Sequence, residues 1–220
     1  RVPLGIDTHG YTMRQNANGT DADRPREQEE LSIGYLARLA PEKGLHVLVD
    51  AFILLNQLTA GRLPVRLQMA GWLGKQHEAY AQEQFTKLDV AGLTDRYEYL
   101  GEVDLAAKQK FLSQLDLFSV PTTYREPKGL YALEALAAGV PAVLPRHGAF
   151  PELLETTGGG RLVAPDNPPE LARALHELLL DSAERRRLGQ AGQQSVHEQL
   201  NAETMAQETL RVFEQVIAEK

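Results

Sequence analysis

No cysteine occurs in this chain of 220 residues, so disulfides, thiolate metal sites and a cysteine nucleophile are excluded. A reducing compartment is thereby permitted, and a cytoplasmic location is the expectation. Positive charge is the minority sign, with 23 Lys and Arg against 30 Asp and Glu and a formal net charge of −7. Nucleic acid is not expected as the main partner, because the phosphate backbone calls for a basic face. Long apolar runs are missing as well. The most apolar stretch, Leu130 to Leu144, is broken by Glu134, Gly139 and Pro141, and falls short of the roughly 18 to 20 residues that span a bilayer. No signal-peptide pattern is present, and the chain opens at Arg1, as a processed or excised piece would. Three fingerprints are absent: H-E-x-x-H, G-x-x-x-x-G-K-[ST], and G-x-G-x-x-G after a strand. The six histidines lack ligand spacing, so no metal site is expected. The missing glycine fingerprint also disfavours an NAD-dependent oxidoreductase.

What is present is an ordinary core-forming composition, 43% hydrophobic and 24% charged. After the short apolar segment Val2 to Asp7, the polar run Arg14 to Glu30 reads as a solvated loop or link. Residues 1–30 are therefore expected as an N-terminal segment and polar linker, and residues 31–220 as one domain. Within that domain strand-like runs alternate with helical spacing. Strands are predicted at Ser32 to Ala37, Val65 to Ala70, Tyr97 to Leu100, Leu117 to Val120, Ala142 to Leu144 and Arg161 to Val163. Helices are predicted at Leu45 to Leu58, Gln76 to Val90, Leu105 to Leu115 and Gly129 to Ala138, with three more closing the chain. Continuously apolar strands joined by helices predict an α/β, doubly wound parallel sheet, Rossmann-like, with C-terminal helices.

Ligands of such a sheet bind outside the carboxyl ends of the strands. Those ends gather Arg38, Lys43, Arg125, Lys128 and Arg146 in an otherwise acidic chain, a pattern that suits a polyanion. Asp104, Asn167, Asp181 and Asn201 are conventional helix caps. Lys43, expected in a first helical turn, and Arg125 and Lys128, flanking the start of another helix, sit where the helix dipole disfavours cations unless an anion is bound. The competing reading of each is a solvated loop charge.

The stretch Tyr124 to Pro141 is the most informative. Glu126 lies in a turn, held extended by Pro127. Gly129 opens a helix, either as a plain turn glycine or to admit a ligand to the backbone. Glu134 lies five residues on, roughly 7.5 Å along the axis. It is either the one charged position of a solvent face or a carboxylate facing a cleft. A nucleotide sugar offers a matching row of hydroxyls, diphosphate and ribose.

Taken together, these residues resemble the C-terminal, donor-binding domain of a retaining glycosyltransferase of the GT-B fold, in the group 1 (family 4) type. That large family includes sucrose synthase and bacterial mannosyl- and glucosyltransferases. The carriers are Val2 to Asp7, which is similar to the lead into that domain, Ala37 to Gly44, which is similar to the phosphate-binding loop, and Glu126 to Glu134, which is similar to the E-x7-E signature. The resemblance implies that Arg38 and Lys43 hold the donor diphosphate and neutralise its charge in place of a metal, helped by the N–H groups of Gly129 and Leu130. It implies that Glu126 touches the transferred sugar, that Glu134 touches the ribose, and that the Glu102-Val103 backbone faces the base. No cofactor is implied beyond the substrate nucleotide sugar. An N-terminal acceptor domain, to which any peripheral membrane contact would belong, is implied as the absent partner, so this piece alone is expected to be inactive. Ala37 and Lys128 depart from the family pattern, which normally has glycine and an aromatic residue there. An epimerase or phosphorylase of the same fold, and a non-catalytic sugar-nucleotide-binding module, are the competing expectations.

Overall fold

The alternation of apolar strands and helical stripes folds as two layers of helices over one sheet. The computed structural model describes residues 2–11 and 30–218, so residues 14–29 of the expected polar run lie outside the described residues. The strands are β1 (Leu31–Leu36), β2 (Val65–Ala70), β3 (Tyr97–Tyr99), β4 (Leu117–Phe118), β5 (Ala142–Pro145) and β6 (Gly160–Val163). They form one six-stranded sheet in the order β3-β2-β1-β4-β5-β6, and every pairing is parallel. The helices are α1 (Leu45–Leu58), α2 (Glu78–Val90), α3 (Leu105–Ser113), α4 (Leu130–Ala137), α5 (Phe150–Thr157), α6 (Pro168–Leu180), α7 (Ser182–Gln199) and α8 (Ala202–Ala218). Helix α1 packs on α2 and α6, while α7 packs on α4 and α5. This is the doubly wound Rossmann-like architecture the sequence predicts. Its strand order reverses between β1 and β4, where such folds open a crevice.

The predicted boundaries of α1 and β2 coincide with the observed ones. Local chemistry fixes the helix starts too. Asp104, Asn167, Asp181 and Asn201 each accept from a backbone N–H three residues on, at 2.8 to 3.0 Å. Two details differ from the sequence reading. Lys43 does not stand in the first turn of α1. It ends a separate 3₁₀ turn, Pro41–Lys43, and Gly44 in the left-handed conformation separates the two. Helix α5 was not predicted, because it is short and carries Pro151 and two threonines. Its signal was present in the spacing of Phe150, Leu153 and Leu154, all buried, between a first-turn proline and the left-handed Gly158.

Residues 2–11 belong to the folded body, where the sequence suggested an appendage. Ile6 pairs with Asn201 in parallel, its N–H donating to Leu200 O at 3.0 Å and its carbonyl accepting from Ala202 N at 2.8 Å. Tyr11 is buried. At the other end of the chain, α8 buries none of its side chains among the described residues, and Leu210, Phe213, Val216 and Ile217 are exposed. No helix among the described residues is long and apolar enough to cross a membrane.

Candidate functional site

The crevice between β1 and β4 is built by two loops. The first, from Ala37 to Gly44, leaves β1. Its Leu39 N–H is anchored to Trp72 O at 3.0 Å, and the Arg38 carbonyl accepts from the buried Tyr35 hydroxyl at 2.9 Å. The second, Ser119 to Gly129, leaves β4. Thr123 N–H reaches across to Glu42 O at 3.1 Å and ties the loops together. The closest approach is at Gly44, whose φ of 72° suits glycine. A Cβ there would stand 1.8 Å from Pro121 O. Residues nearly eighty positions apart in the sequence thus come into backbone contact.

At that junction Lys43 meets Glu126. The Lys43 ammonium lies 2.6 Å from Glu126 Oε2 and donates to the Tyr124 hydroxyl at 2.6 Å. It also stands 4.9 Å and 5.2 Å from the ring centres of Tyr124 and Tyr131, within cation–π range. The Tyr124 and Tyr131 hydroxyls donate to the same carboxylate oxygen at 2.5 and 2.9 Å, and the Lys128 and Gly129 N–H groups approach Oε1 at 3.3 and 3.4 Å. Burial works against charge on Glu126. The hydrogen bonds from Lys43, Tyr124 and Tyr131, with the Lys43 charge, outweigh it and hold the carboxyl at about 2. Burial, followed by the Glu126 charge, pushes the Tyr131 phenol far above its usual range, so it stays a neutral donor. A carboxylate with a lowered pKa stabilises the fold above its unfolded value near 4.5, and this contribution fades as pH falls toward about 2. The stability gap between the native chain and Glu126→Gln should therefore narrow between pH 5 and 3 in urea denaturation. A gap that stays constant there would contradict the ionised, buried carboxylate.

The other predicted residues sit around this centre. Arg38 is about half exposed and pairs with Glu42 at 3.0 Å, a surface contact weak enough to exchange. Gly129, with φ of 66°, starts α4, and Leu130 follows it with its side chain partly exposed. The first-turn N–H groups of α4 have no acidic side chain to meet them within that turn. Glu134 is half-buried between α3 and α4 and bonds Lys108 Nζ at 2.6 Å. Glu102 is exposed and Val103 half-buried in the loop after β3. The structure brings Lys43, Glu126 and Gly129 together, places Arg38 at the rim, and leaves Glu134 and the 102–103 loop farther along the same edge. Sequence reading missed Tyr124, Tyr131 and Lys108. The tyrosines bracket Glu126 in the sequence, but nothing local says that both hydroxyls turn to it. Among the described residues, no group of three or more His, Cys, Asp or Glu side chains could hold a metal ion.

A Rossmann-like sheet with a cation, a carboxylate and a helix N-terminus at its switch point suits a ligand that carries an anionic group. The model of the family described as "Glycosyl transferases group 1" matches residues 20–195. The chain belongs to that family. Among curated relatives it is similar to the MMP alpha-(1->4)-mannosyltransferase of Mycolicibacterium hassiacum, 30% identical over 218 residues, covering 99% of this chain and 48% of the relative. Among solved structures it is similar to sucrose-phosphate synthase from Thermosynechococcus elongatus, with a TM-score of 0.79, 26% identity and coverage of 100% of this chain and 53% of that one. The C-terminal domain of the group 1 protein LpcC from Francisella tularensis has the same fold, with a TM-score of 0.76 at 24% identity over 90% of this chain and 100% of that domain. The chain spans about half the length of the curated relatives it matches.

Proposed function

We propose that this chain is the donor-binding half of a retaining glycosyltransferase that takes a nucleoside-diphosphate sugar. The observation that supports this best is the meeting of Lys43, Glu126 and the α4 N-terminus at the β1–β4 switch point. When the sugar–phosphate bond breaks, its electron pair leaves with the nucleoside diphosphate, and negative charge grows on the departing oxygen. Lys43, Arg38 and the N–H groups of Gly129 and Leu130 are the groups that would meet that charge, without calling on a divalent metal. Glu126 would orient sugar hydroxyls, with Tyr124 beside it, and Glu134 the ribose, while the backbone at Glu102 and Val103 would line the base. Arrival of a diphosphate gives Lys43 a second anion, which loosens its hold on Glu126 and makes that carboxylate available.

Retention needs no second carboxylate poised as nucleophile if the leaving diphosphate itself helps the incoming acceptor on the same face of an oxocarbenium-like sugar. The acceptor would come from a second domain, as expected for a chain about half as long as its relatives. The exposed apolar face of α8 is surface that such a domain would cover. Titration calorimetry with UDP, GDP and ADP and their sugars should detect at least one nucleotide binding to this chain. Silence from all of them at millimolar concentration would sink the reading. Transfer activity is expected only when the acceptor half is supplied.

A further inference from the structure

Lys108 was not singled out by its sequence, and its position gives it a task. It stands on the second turn of α3, which opens immediately after the Glu102-Val103 loop and is fixed by the Asp104 cap, with Lys108 N–H donating to Asp104 O at 2.8 Å. Its ammonium donates to Glu134 Oε1 at 2.6 Å, and both side chains are only 23% and 20% exposed. The chain neighbours of Glu134, Leu133, Ala135 and Leu136, are buried in the core, and the pair with Lys108 holds the Glu134 carboxylate between α4 and α3. Among the described residues its second oxygen has no hydrogen-bond partner. The N-terminal segment lies beside this pair. Gln109, the next residue of α3, donates to His9 O at 2.8 Å, and Tyr11 is buried with its hydroxyl unpartnered among the described residues. Burial, then the charges of Glu134 and Asp7, push the Tyr11 phenol upward, which marks Glu134 as part of its surroundings.

We propose that Lys108 is a positioning residue for nucleoside recognition. Its ammonium fixes and neutralises Glu134, so that this carboxylate accepts from ribose hydroxyls beside a bound diphosphate. The inference rests on the donor-binding reading of the site. A carboxylate one and a half turns from a diphosphate seat repels the ligand it must help to hold. A lysine on one of its oxygens cancels that repulsion and leaves the other oxygen for hydroxyl donors. A merely structural ion pair would make α3 and α4 adhere but would be blind to whether the ligand carries ribose hydroxyls.

The test is calorimetry on this chain with whichever of UDP, GDP or ADP binds, compared with its 2′,3′-dideoxy counterpart. The native chain should prefer the ribonucleotide about tenfold, the worth of one charge-assisted hydrogen bond. In Lys108→Met that preference should drop to about twofold or less, whereas Lys108→Arg should keep it. The melting temperature of ligand-free Lys108→Met, read in parallel, should stay close to native, and Lys108→Gln serves if the methionine variant does not fold. A native-sized ribose preference in the neutral variants would overturn the role of Lys108 while leaving the donor site intact. Absence of any nucleotide binding to the native chain would overturn both.

Discussion

Lys43→Met should cost the fold about 3 kcal/mol, because it leaves the Glu126 carboxylate buried without its cation. Lys43 and Glu126 expose only 11% and 7% of their side chains, so water cannot replace the lost partner. The same change removes the ammonium at the switch point, so nucleoside-diphosphate binding should fall below detection. Stability and binding can be told apart with a second variant. Lys43→Met with Glu126→Gln removes the uncompensated charge, and the amide still accepts from Tyr124 and Tyr131. The pair should therefore recover more than half of the lost stability in urea denaturation and none of the lost binding in calorimetry. Recovery of both together would mean that Lys43 acts only as a structural prop. Failure to recover stability would mean that the cost lies in packing rather than charge.

Gly44→Ala should be as damaging through a different route. The left-handed backbone alone costs an alanine about 1 kcal/mol. The new methyl group would also stand 1.8 Å from Pro121 O and 2.6 Å from its carbonyl carbon, and neither is a flexible side-chain end. The β1–α1 and β4–α4 loops would have to part, and Lys43 and Glu126 ride on those two loops. A loss beyond ~2 kcal/mol is expected, together with weakened nucleotide binding. Gly61 provides the control. Its φ of 67° is almost the same, yet an added Cβ meets nothing within 4 Å. Gly61→Ala should thus show the strain without the clash. Equal losses for the two alanine variants in thermal denaturation would rule out the close approach of the loops as the cause.

Much of this architecture was legible because its signals are local. The apolar face Leu45, Leu48, Val49, Phe52 and Leu55 delimits α1 whatever surrounds it, and the four capping side chains bond the N–H groups they were expected to bond. Where signals were weak or shared, the reading thinned. Helix α5 went unseen, yet its lead-in supports the site, since Ala149 N–H donates to Glu126 O at 2.8 Å and Phe150 packs under Gly129. Glu134, taken alone in the sequence, reads more readily as a solvent-face charge than as a cleft carboxylate. Helix α3 lies against that side of α4 and supplies Lys108 as the ion-pair partner of Glu134.

The amino-acid sequence by itself determined the order of strands and helices, the Rossmann-like class, and the presence of cations and carboxylates at the strand ends, because each depends on spacing or on residues within a few positions of one another. It could not determine who pairs with whom. That Lys43 shares Glu126 with Tyr124 and Tyr131, that Lys108 shields Glu134, and that Ile6 closes back on Asn201 were decided by tertiary structure. The physical reason is reach. Charges and hydroxyls act over a few ångströms in space, and only the crossing of the chain between β1 and β4 brings these distant residues within that range.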